Sequence, residues 1–379
     1  MDLFIFGTLL HMPLLEAVSG DPDVRARVRW AVRPGYSVSR VAGEVFPIMH
    51  ADENGVTEGV IVEGLDETAL DRLDYYEKAF DYDRYDFVVL DKDQQPRNVT
   101  AYLPPEGRWT PAERWDLNGW INTYGEVTEM TAIEAMNAMG RLTAEQMGQQ
   151  FQNMMARAAS RQRASMSVGN GTRAGRVGNL GRSDVHLIQA RKPYAGFFNV
   201  EELDLTFRRF DGSMSDPVNR AVFVGVDCAM VLPYDPVRER VMLVEQFRPG
   251  AYLRGDPNPW TVEPIAGRID PGEGPEEAAM REAQEEAGVT VRDLKCVSAA
   301  YPSPGTTTEH FYIYIGMCDL PDGSDGIGGK LSEAEDIRSQ IMEWADFDKA
   351  LNAGDFRLLP LLVAGHWLAR NREGLRASA

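Results

Sequence analysis

The stretch from Ala266 to Val289, AGRIDPGEGPEEAAMREAQEEAGV, is the feature that most constrains how this 379-residue chain can fold. Its first half is rich in glycine and proline, which favour turns. Pro275 suits the first position of a helix, and Gly288 suits the position just after a helix ends. The sequence therefore predicts a turn-rich loop followed by a helix from about Pro275 to Ala287.

Acidic and apolar residues lie on opposite sides of this predicted helix. At about 100° per residue, three acids fall on one stripe and three apolar residues on the opposite stripe. The acids are Glu282, Glu285 and Glu286, and the apolar residues are Met280, Ala283 and Ala287. We expect one buried face and one face of carboxylates. Neighbouring acids repel one another, and oxygen ligands suit hard cations, so we expect Mg²⁺, or Mn²⁺, to bind there and hold a substrate's phosphates.

The spacing of the stretch argues against the alternative of an ordinary solvated acidic helix. The fixed positions are Gly267, Glu273, Arg281 with Glu282, Glu285 with Glu286, and Gly288. Arg281 lies where it can pair with Glu273 and hold the loop against the helix. The stretch resembles the Nudix box, the metal-binding signature of hydrolases that cleave a nucleoside diphosphate linked to another group. Ala283 stands where that box prefers a bulky aliphatic residue, a difference that affects packing.

Composition limits what else the chain can be. Its length predicts two domains, and 44% hydrophobic residues provide for sizeable cores. A net charge of −19 argues against nucleic acid or an anionic membrane as a main partner. The three cysteines have no metal-ligand spacing, which fits a reducing cytoplasm. With no apolar run of membrane-spanning length and no basic leader at the start, we expect a soluble, cytoplasmic protein.

The first residues form a separate pattern. Leu3 to Phe6 predicts a short buried strand, followed by the Gly7-Thr8 turn and a helical segment from Leu9. Such a turn can present backbone N–H groups to an anion or oxyanion, although a plain strand-to-helix connection is the alternative. FGTLL here and LDYYE about seventy residues later together resemble the γ-glutamylcyclotransferase-like fold.

That resemblance implies roles for particular residues. Gly7, Thr8 and Leu9 would form the loop that holds a γ-glutamyl group, and Glu77 would carry the proton during cyclisation. Phe6 replaces the tyrosine more usual in the loop. Two alternatives therefore stay open for this domain: Glu77 favours cyclotransferase chemistry, and Phe6 favours a regulatory ligand-binding or assembly module.

We predict three segments: a small γ-glutamylcyclotransferase-like β-barrel domain at 1–110, a helical segment and linker at 111–183, and a C-terminal domain at 184–379. In the middle segment, apolar residues recur at near-helical spacing, and they are Met136, Met139, Met147, Phe151, Met154 and Met155. They predict a docking face rather than a cofactor site. The Gly/Ser/Arg-rich run around 165–184 predicts a solvated tether, with a contact to nucleic acid or to an acidic partner as the alternative.

The C-terminal domain is predicted as an α/β/α sandwich in an α/β (α+β) protein. Strands are expected at 222–226, 229–232, 241–244, 261–265, 296–300 and 310–317, and a C-terminal helix at about 358–370. The segment Leu232-Pro233-Tyr234-Asp235-Pro236 predicts a turn between two of these strands.

The residues that flank the box narrow the range of expected substrates. Four segments resemble the bacterial ADP-ribose pyrophosphatases: Gly196-Phe197-Phe198, the segment ending at Arg248, Pro259-Trp260 and Ser303-Pro304-Gly305. With its N-terminal domain, the chain looks like the longer, tellurite-resistance-associated form of these enzymes. The resemblance implies that Phe197 stacks on adenine and that Arg220 and Arg248 contact the substrate. Another nucleotide sugar, such as GDP-mannose, is the alternative substrate.

The same resemblance implies a mechanism. Mg²⁺ would be held by Glu282, Glu285, Glu286 and the carbonyl of Ala266, and ADP-ribose would be hydrolysed to AMP and ribose 5-phosphate. Glu335, just before an Asp-Ile-Arg run, would activate water, and Glu309 is a candidate for the ribose end. Because the shorter enzymes are homodimers that exchange N-terminal strands, we expect a homodimer.

Overall fold

The structure, a computed structural model, describes residues 1–166, 180–330 and 335–378. The chain divides into two compact units, residues 1–171 and 172–379. Most of the predicted tether, and residues 332–334 of the predicted acidic loop, lie outside the described residues. None of the helices in the described ranges is long and apolar enough to cross a membrane.

The N-terminal unit combines strands with helices. Its strands are β1 (Leu3–Ile5), β2 (Val28–Val41), β3 (Pro47–Val62), β4 (Asp83–Asp91), β5 (Pro96–Leu103) and β6 (Pro111–Arg114). Its helices are α1 (Met12–Ser19), α2 (Glu67–Lys78), α3 (Leu117–Trp120), α4 (Glu126–Met136) and α5 (Ala144–Met166). A π-helical turn at Ile121–Gly125 joins α3 to α4, and 3₁₀ turns lie at Thr8–Leu10 and Val24–Arg27.

Five of these strands close into a barrel. In the described part of this unit the strand order is β3-β1-β5-β4-β2-β6, and β2 also pairs with β3. Side chains of β1 alternate between two cores, as expected for a strand. Phe4 packs in one cluster with Ile61 and Phe87, whereas Leu3 and Ile5 pack in another with the helices. The barrel predicted from the N-terminal resemblance is confirmed.

Helices α3 to α5 complete the core of this unit. Met147, Phe151, Met154 and Met155 are buried in the same cluster as Leu73 of α2. Met136 is buried too, whereas Met139 is partly exposed because it lies in the turn between α4 and α5. The predicted methionine face therefore packs within the N-terminal unit, as an extension of its core.

The C-terminal unit is richer in strands. They are β7 (Val185–Ala195), β8 (Asn199–Phe207), β9 (Val218–Val224), β10 (Cys228–Asp235), β11 (Arg240–Phe247), β12 (Trp260–Glu263), β13 (Ile265–Arg268), β14 (Asp293–Ala300), β15 (Phe311–Met317), β16 (Ile327–Gly328) and β17 (Ile337–Glu343). The helices are α6 (Pro249–Arg254), α7 (Pro275–Ala287), α8 (Trp344–Ala353) and α9 (Leu359–Ala377), with a 3₁₀ turn at Arg182–Asp184.

A mixed sheet lies between helices in this unit. Among the described residues its main path is β14-β15-β10-β11-β17-β16, with β12 beside β11 and β13 beside β10. Alternate residues of β10 enter two cores: Ala229 and Val231 pack with α7, and Met230 and Leu232 pack with α8 and α9. Strands β7, β8 and β9 form a separate three-stranded sheet. The predicted α/β/α sandwich is confirmed.

Two local predictions were wrong. The turn expected from Leu232 to Pro236 is instead the end of β10, and the chain turns only after Asp235. Proline is tolerated there because Pro233 is paired on one side only. Its partner is Gly316 of β15, and pairing of β10 with β11 on the other side begins at Tyr234. The single strand expected from Thr261 to Ile265 is split at Pro264 into β12 and β13, which pair with different neighbours.

Packing of α5 in the N-terminal core gives a stability prediction. Met147 is fully buried, whereas Met166 on the same helix is 69% exposed. We expect Met147→Ala to lower the free energy of unfolding of the N-terminal unit by about 2–5 kcal/mol, because it leaves a cavity. Met166→Ala is the matched control and should change it by less than about 0.5 kcal/mol. Urea unfolding followed by circular dichroism measures both, and equal effects would contradict the packing described.

Candidate functional site

Helix α7 has the bounds predicted from the sequence. At its start, Glu277 accepts a hydrogen bond from the backbone N–H of Gly274 at 2.8 Å. At its end, Gly288 adopts a left-handed conformation with φ of 64°, which most side chains disfavour. The helix therefore begins and ends at fixed points, which sets the direction of each acid along it.

The buried side of α7 differs in part from the predicted one, since Ala283 is buried as expected but Met280 is not. Met280, expected to be buried, is 40% exposed, whereas Glu286 is only 3% exposed. The buried side is made of Ala278, Ala279 and Ala283. These small residues pack α7 against β10 and β13, and Glu286 lies on the same side of the helix. One of the three acids thus enters the protein instead of facing solvent.

Arg281 connects the loop, a strand and the helix. Its Nε and Nη2 donate to the carboxylate of Glu273 at 2.9 and 3.0 Å, and Nη2 also donates to the carbonyl of Arg268 at 3.0 Å. Its Nη1 donates to Glu282 at 2.7 Å and to Glu285 at 3.0 Å. The hydrogen bonds to Glu273, followed by the charge of Glu282, raise the pKa of Arg281. The predicted pairing of Arg281 with Glu273 is present, and the same guanidinium also holds two acids of the helix.

Glu282 lies directly against strand β13. A Cβ atom on Gly267 would overlap the carboxyl group of Glu282, so this position has room only for a hydrogen. Burial raises the pKa of Glu282, although its ion pair with Arg281 acts in the opposite direction. The structure therefore explains why glycine precedes the loop: it lets a carboxylate from the helix reach the backbone of the strand.

The other two acids of α7 have contrasting surroundings. Glu285 pairs with Lys330 at 2.9 Å, and hydrogen bonds from Lys330 and Arg281 outweigh burial and lower its pKa. Glu286 accepts a long hydrogen bond of 3.4 Å from the backbone N–H of Ala266. Burial, reinforced by the charge of Glu282, raises the pKa of Glu286 to about 8. The inner carboxyl of Glu286 therefore holds its proton more readily than the carboxyl of Glu285 does.

Glu335 lies close to this inner side. Its carboxylate accepts a hydrogen bond from the backbone N–H of Lys330 at 3.1 Å, and its charge contributes to the raised pKa of Glu286. The glycines at 328 and 329 make the approach possible, because a Cβ on Gly328 would overlap the backbone of Glu286. The structure thus places Glu335 and the acids of α7 in one neighbourhood, although they are far apart in sequence.

The predicted adenine-binding residue is near the box. Phe197 is 56% exposed, and the guanidinium of Arg268 lies 5.3 Å from the centre of its ring. Its ring also contacts Phe198 edge to face, with the centroids 4.7 Å apart. Arg220 lies on β9 of the separate three-stranded sheet, where it is exposed and donates to the carbonyl of Asn219 at 2.8 Å. Phe197 therefore lies next to β13. Arg220, by contrast, donates its hydrogen bond to the adjacent residue in the chain.

Arg248 and Glu309 are both held by neighbouring polar groups. Arg248 forms two hydrogen bonds with the buried Glu263, at 2.8 and 2.6 Å, and these bonds raise its pKa. The charge of Arg248 also acts on Glu286. Burial raises the pKa of Glu309, which accepts a hydrogen bond from Thr307 at 3.2 Å. Glu263 thus orients Arg248, leaving its charge close to the acids of α7.

The N-terminal unit contains a separate cavity. Gly7, Thr8, Leu9 and Glu77, which the sequence pairs across about seventy residues, all line it. Burial raises the pKa of Glu77 to about 8. Thr8 and Leu9 begin a 3₁₀ turn that follows Gly7, and helix α1 starts only at Met12. The structure therefore brings the four predicted residues of this unit together around one space.

Comparison with known proteins identifies the C-terminal unit. Residues 226–362 match the NUDIX domain. The ADP-ribose pyrophosphatase of Escherichia coli (strain K12) is 38% identical over 203 residues, which cover 52% of this chain and 93% of that protein. The chain belongs to the Nudix family. The ADP-ribose pyrophosphatase of Haemophilus influenzae is 32% identical over 53% of this chain and 94% of its own length.

Two further matches complete the comparison. The GDP-mannose pyrophosphatase of Cronobacter sakazakii is 30% identical over 168 residues, which cover 44% of this chain and 84% of that protein. Residues 3–120 match the family described as gamma-glutamyl cyclotransferase, AIG2-like. The Nudix domain is therefore preceded by a cyclotransferase-like domain, as both resemblances predicted.

Nudix hydrolases use divalent metal ions, and the acids of α7 fit such an ion chemically. Gly267 gives Glu282 access to the strand, the inner carboxylates repel one another, and all the donors are hard oxygens. Across the described residues, no group of three or more His, Cys, Asp or Glu side chains is already arranged around one point. Arg281 and Lys330 hold Glu282 and Glu285 in ion pairs. Metal ligation by these residues stays a prediction.

The structure adds three residues that the sequence pattern did not single out. Lys330 pairs with Glu285, Glu263 orients Arg248, and Arg268 lies beside Phe197. Glu263 was detectable in principle, since it is an acid within an apolar strand just before the box. Arg268 lies within the box stretch, but its contact with Phe197 arises only through folding, as does the pairing of Lys330 with Glu285.

The central position of Arg281 leads to a stability prediction for the Nudix domain. Arg281→Met would leave Glu273 and Glu282 without their charged donor, and we expect a loss of about 1.5–3 kcal/mol in the free energy of unfolding. Arg357→Met is the control, because Arg357 is exposed and makes a single 3.4 Å contact with Asp256, which should contribute less than about 1 kcal/mol. Urea unfolding of the purified chain compares the two, and a loss no larger for Arg281→Met would contradict the role described.

Proposed function

We propose that the Nudix domain hydrolyses ADP-ribose to AMP and ribose 5-phosphate with Mg²⁺. The observation that carries this proposal is the 38% identity with an ADP-ribose pyrophosphatase across 93% of that protein's length. The neighbourhood of Glu282, Glu285, Glu286 and Glu335 supports it, because oxygen ligands of this kind suit Mg²⁺ and a diphosphate.

In this proposal the residues of the site have separate roles. Glu335 takes a proton from the attacking water, whose oxygen bonds to one phosphorus while the bridging phosphorus–oxygen bond breaks. Arg248, oriented by Glu263, and Arg220 pair with phosphate oxygens, and Phe197 stacks on the adenine. A bound divalent cation supplies neutralisation of the diphosphate charge and a lower pKa for water. Glu309 is the proposed contact at the ribose end.

A second nucleotide sugar, GDP-mannose, is supported less well. The GDP-mannose pyrophosphatase relative shares 30% identity over 84% of its own length, against 38% over 93% for the ADP-ribose enzyme. Phe197 offers a flat ring that accepts either base, so stacking alone does not distinguish adenine from guanine. The ratio of kcat/KM for the two substrates decides between them.

The activity test uses purified full-length chain with ADP-ribose and Mg²⁺, and it measures release of AMP. We expect turnover in the wild type, and a loss of about 10²-fold or more in Glu286→Gln and in Glu335→Gln. Glu276→Gln is the matched control, because Glu276 is an exposed acid in the first turn of the same helix. It should retain activity close to wild type.

Unfolding curves must show that the variants of Glu286 and Glu335 are folded. Wild-type turnover in both would remove these residues from the site. A higher kcat/KM for GDP-mannose than for ADP-ribose would change the substrate while leaving the Nudix assignment intact.

We also propose that the chain forms a homodimer through β7 to β9. These strands expose apolar side chains on a sheet of their own, including Leu187 (60% exposed), Ile188 (59%) and Tyr194 (58%). Large exposed apolar patches are typical of protein interfaces. The three free cysteines fit the cytoplasm as the proposed compartment.

Charged substitutions test the dimer. In sedimentation equilibrium we expect about twice the chain mass of 42.2 kDa for the wild type, and the monomer mass for the double variant Leu187→Asp/Ile188→Asp. Val56→Asp is the control, since Val56 is equally exposed, at 59%, but lies on β3. A wild-type chain that sediments as a monomer would contradict the proposal.

A further inference from the structure

Lys330 places a positive charge among the acids of α7. Its ammonium lies 2.9 Å from the carboxylate of Glu285. Burial raises the pKa of Glu282, and the charge of Lys330 is one of the influences that oppose this rise. A side chain from a distant part of the sequence therefore supplies the kind of charge that these acids would otherwise take from a bound cation.

The backbone around Lys330 fixes where this charge lies. Strand β16 ends at Gly328 and pairs with β17. A Cβ on Gly328 would lie only 2.1 Å from the carbonyl oxygen of Glu286, so β16 runs directly against α7. Two residues further on, the backbone N–H of Lys330 donates to the carboxylate of Glu335 at 3.1 Å. Lys330 is therefore held at Glu335 by its main chain and at Glu285 by its side chain, and both acids belong to the proposed site.

Arg281 also pairs with Glu285, but it is anchored by other groups. Two of its nitrogens donate to Glu273, and one of these also donates to the carbonyl of Arg268. Lys330 reaches Glu285 with a flexible side chain that is 40% exposed. Ion pairs exposed to this degree contribute little stability, because water screens both charges. Of the two cationic partners of Glu285, Lys330 is therefore the one that another cation displaces more readily.

We propose that Lys330 is a resident counter-cation of the Nudix site, which holds Glu285 in the metal-free protein and releases it when a divalent cation binds. This inference rests on the proposed role of Glu282, Glu285 and Glu286 as metal ligands. An ammonium and a divalent cation that compete for one carboxylate repel each other. Lys330 is thus a positioning residue that lowers the affinity of the site for the metal, so that occupancy requires a higher metal concentration.

Metal binding without substrate tests the inference. Mn²⁺ is the probe, since it suits the same oxygen ligands as Mg²⁺, and electron paramagnetic resonance measures its free concentration. Lys330→Met keeps most of the length of the side chain and removes the charge. In full-length chain we expect this variant to lower the Kd for Mn²⁺ by about 3- to 30-fold, because no ammonium then competes for Glu285.

Two matched variants separate the charge of Lys330 from other effects. Lys330→Arg keeps the positive charge, so its Kd for Mn²⁺ should stay within about twofold of the wild-type value. Lys349→Met removes an exposed lysine of α8, which packs into the core on the other side of the sheet from α7. Its Kd should also stay within about twofold, because solvent and salt screen a charge at that distance.

Hydrolysis of ADP-ribose gives a second measurement. The Mg²⁺ concentration for half-maximal rate should fall in Lys330→Met by a factor similar to the fall in the Kd for Mn²⁺. At saturating Mg²⁺ the kcat should stay within about threefold of wild type, because Lys330 has already released Glu285 there. A loss of tenfold or more in that kcat would overturn the inference, since it would place Lys330 against the substrate.

Unfolding midpoints of the metal-free chains show that each variant is folded. Added Mn²⁺ should raise the midpoint more in Lys330→Met than in the wild type, since tighter binding to the folded state stabilises it more. An unchanged or higher Kd in Lys330→Met, or an equal fall in Lys330→Arg or Lys349→Met, would overturn the inference and leave the metal site intact. No binding of Mn²⁺ by either the wild type or Lys330→Met would remove the metal site itself, and this inference with it.

Discussion

The Nudix site depends on one guanidinium group that holds several carboxylates. Acids on successive turns of a helix repel one another, and burial of Glu282 and Glu286 makes their charges more costly. Arg281 offsets that cost, because it donates to Glu273, Glu282 and Glu285 and to a backbone carbonyl of β13. The loop, the strand and the helix are thereby fixed to one another, and Glu286 is left on the inner side with its pKa raised.

Close approach of backbone and side chain is the second constraint on this site. Gly267 lets the carboxyl of Glu282 reach β13, and Gly328 lets a short strand reach the backbone of Glu286. Through that strand and the turn after it, Glu335 comes close to α7. Two glycines far apart in sequence thus allow acids from distant segments to share one space, without lengthening any loop.

Local spacing predicted the helix of the box and the pairing of Arg281 with Glu273, because these follow from short-range turn and helix rules. The barrel was implied by the N-terminal resemblance, and the sandwich by the strand pattern together with the resemblance to the Nudix box. Local spacing did not predict the burial of Glu286. The three buried alanines of α7 are too small to mark a strongly apolar side in the sequence, and contact with β10 and β13 determines which side of the helix is buried. The proline at position 233 led to a wrong turn prediction. Pro233 lies within a strand, where it has a paired residue on one side only and its missing N–H is tolerated. The pairing of Lys330 with Glu285 and the contact of Arg268 with Phe197 arise through long-range folding.

In the N-terminal unit, the same helices complete the core and line the cavity. Phe151 and Met155 belong both to the cluster that packs against α2 and to the lining of the space around Glu77. A substitution that reshapes this space therefore also changes how firmly the unit is folded. The size and shape of this space are therefore limited by how much packing the small core of the unit can lose and still stay folded.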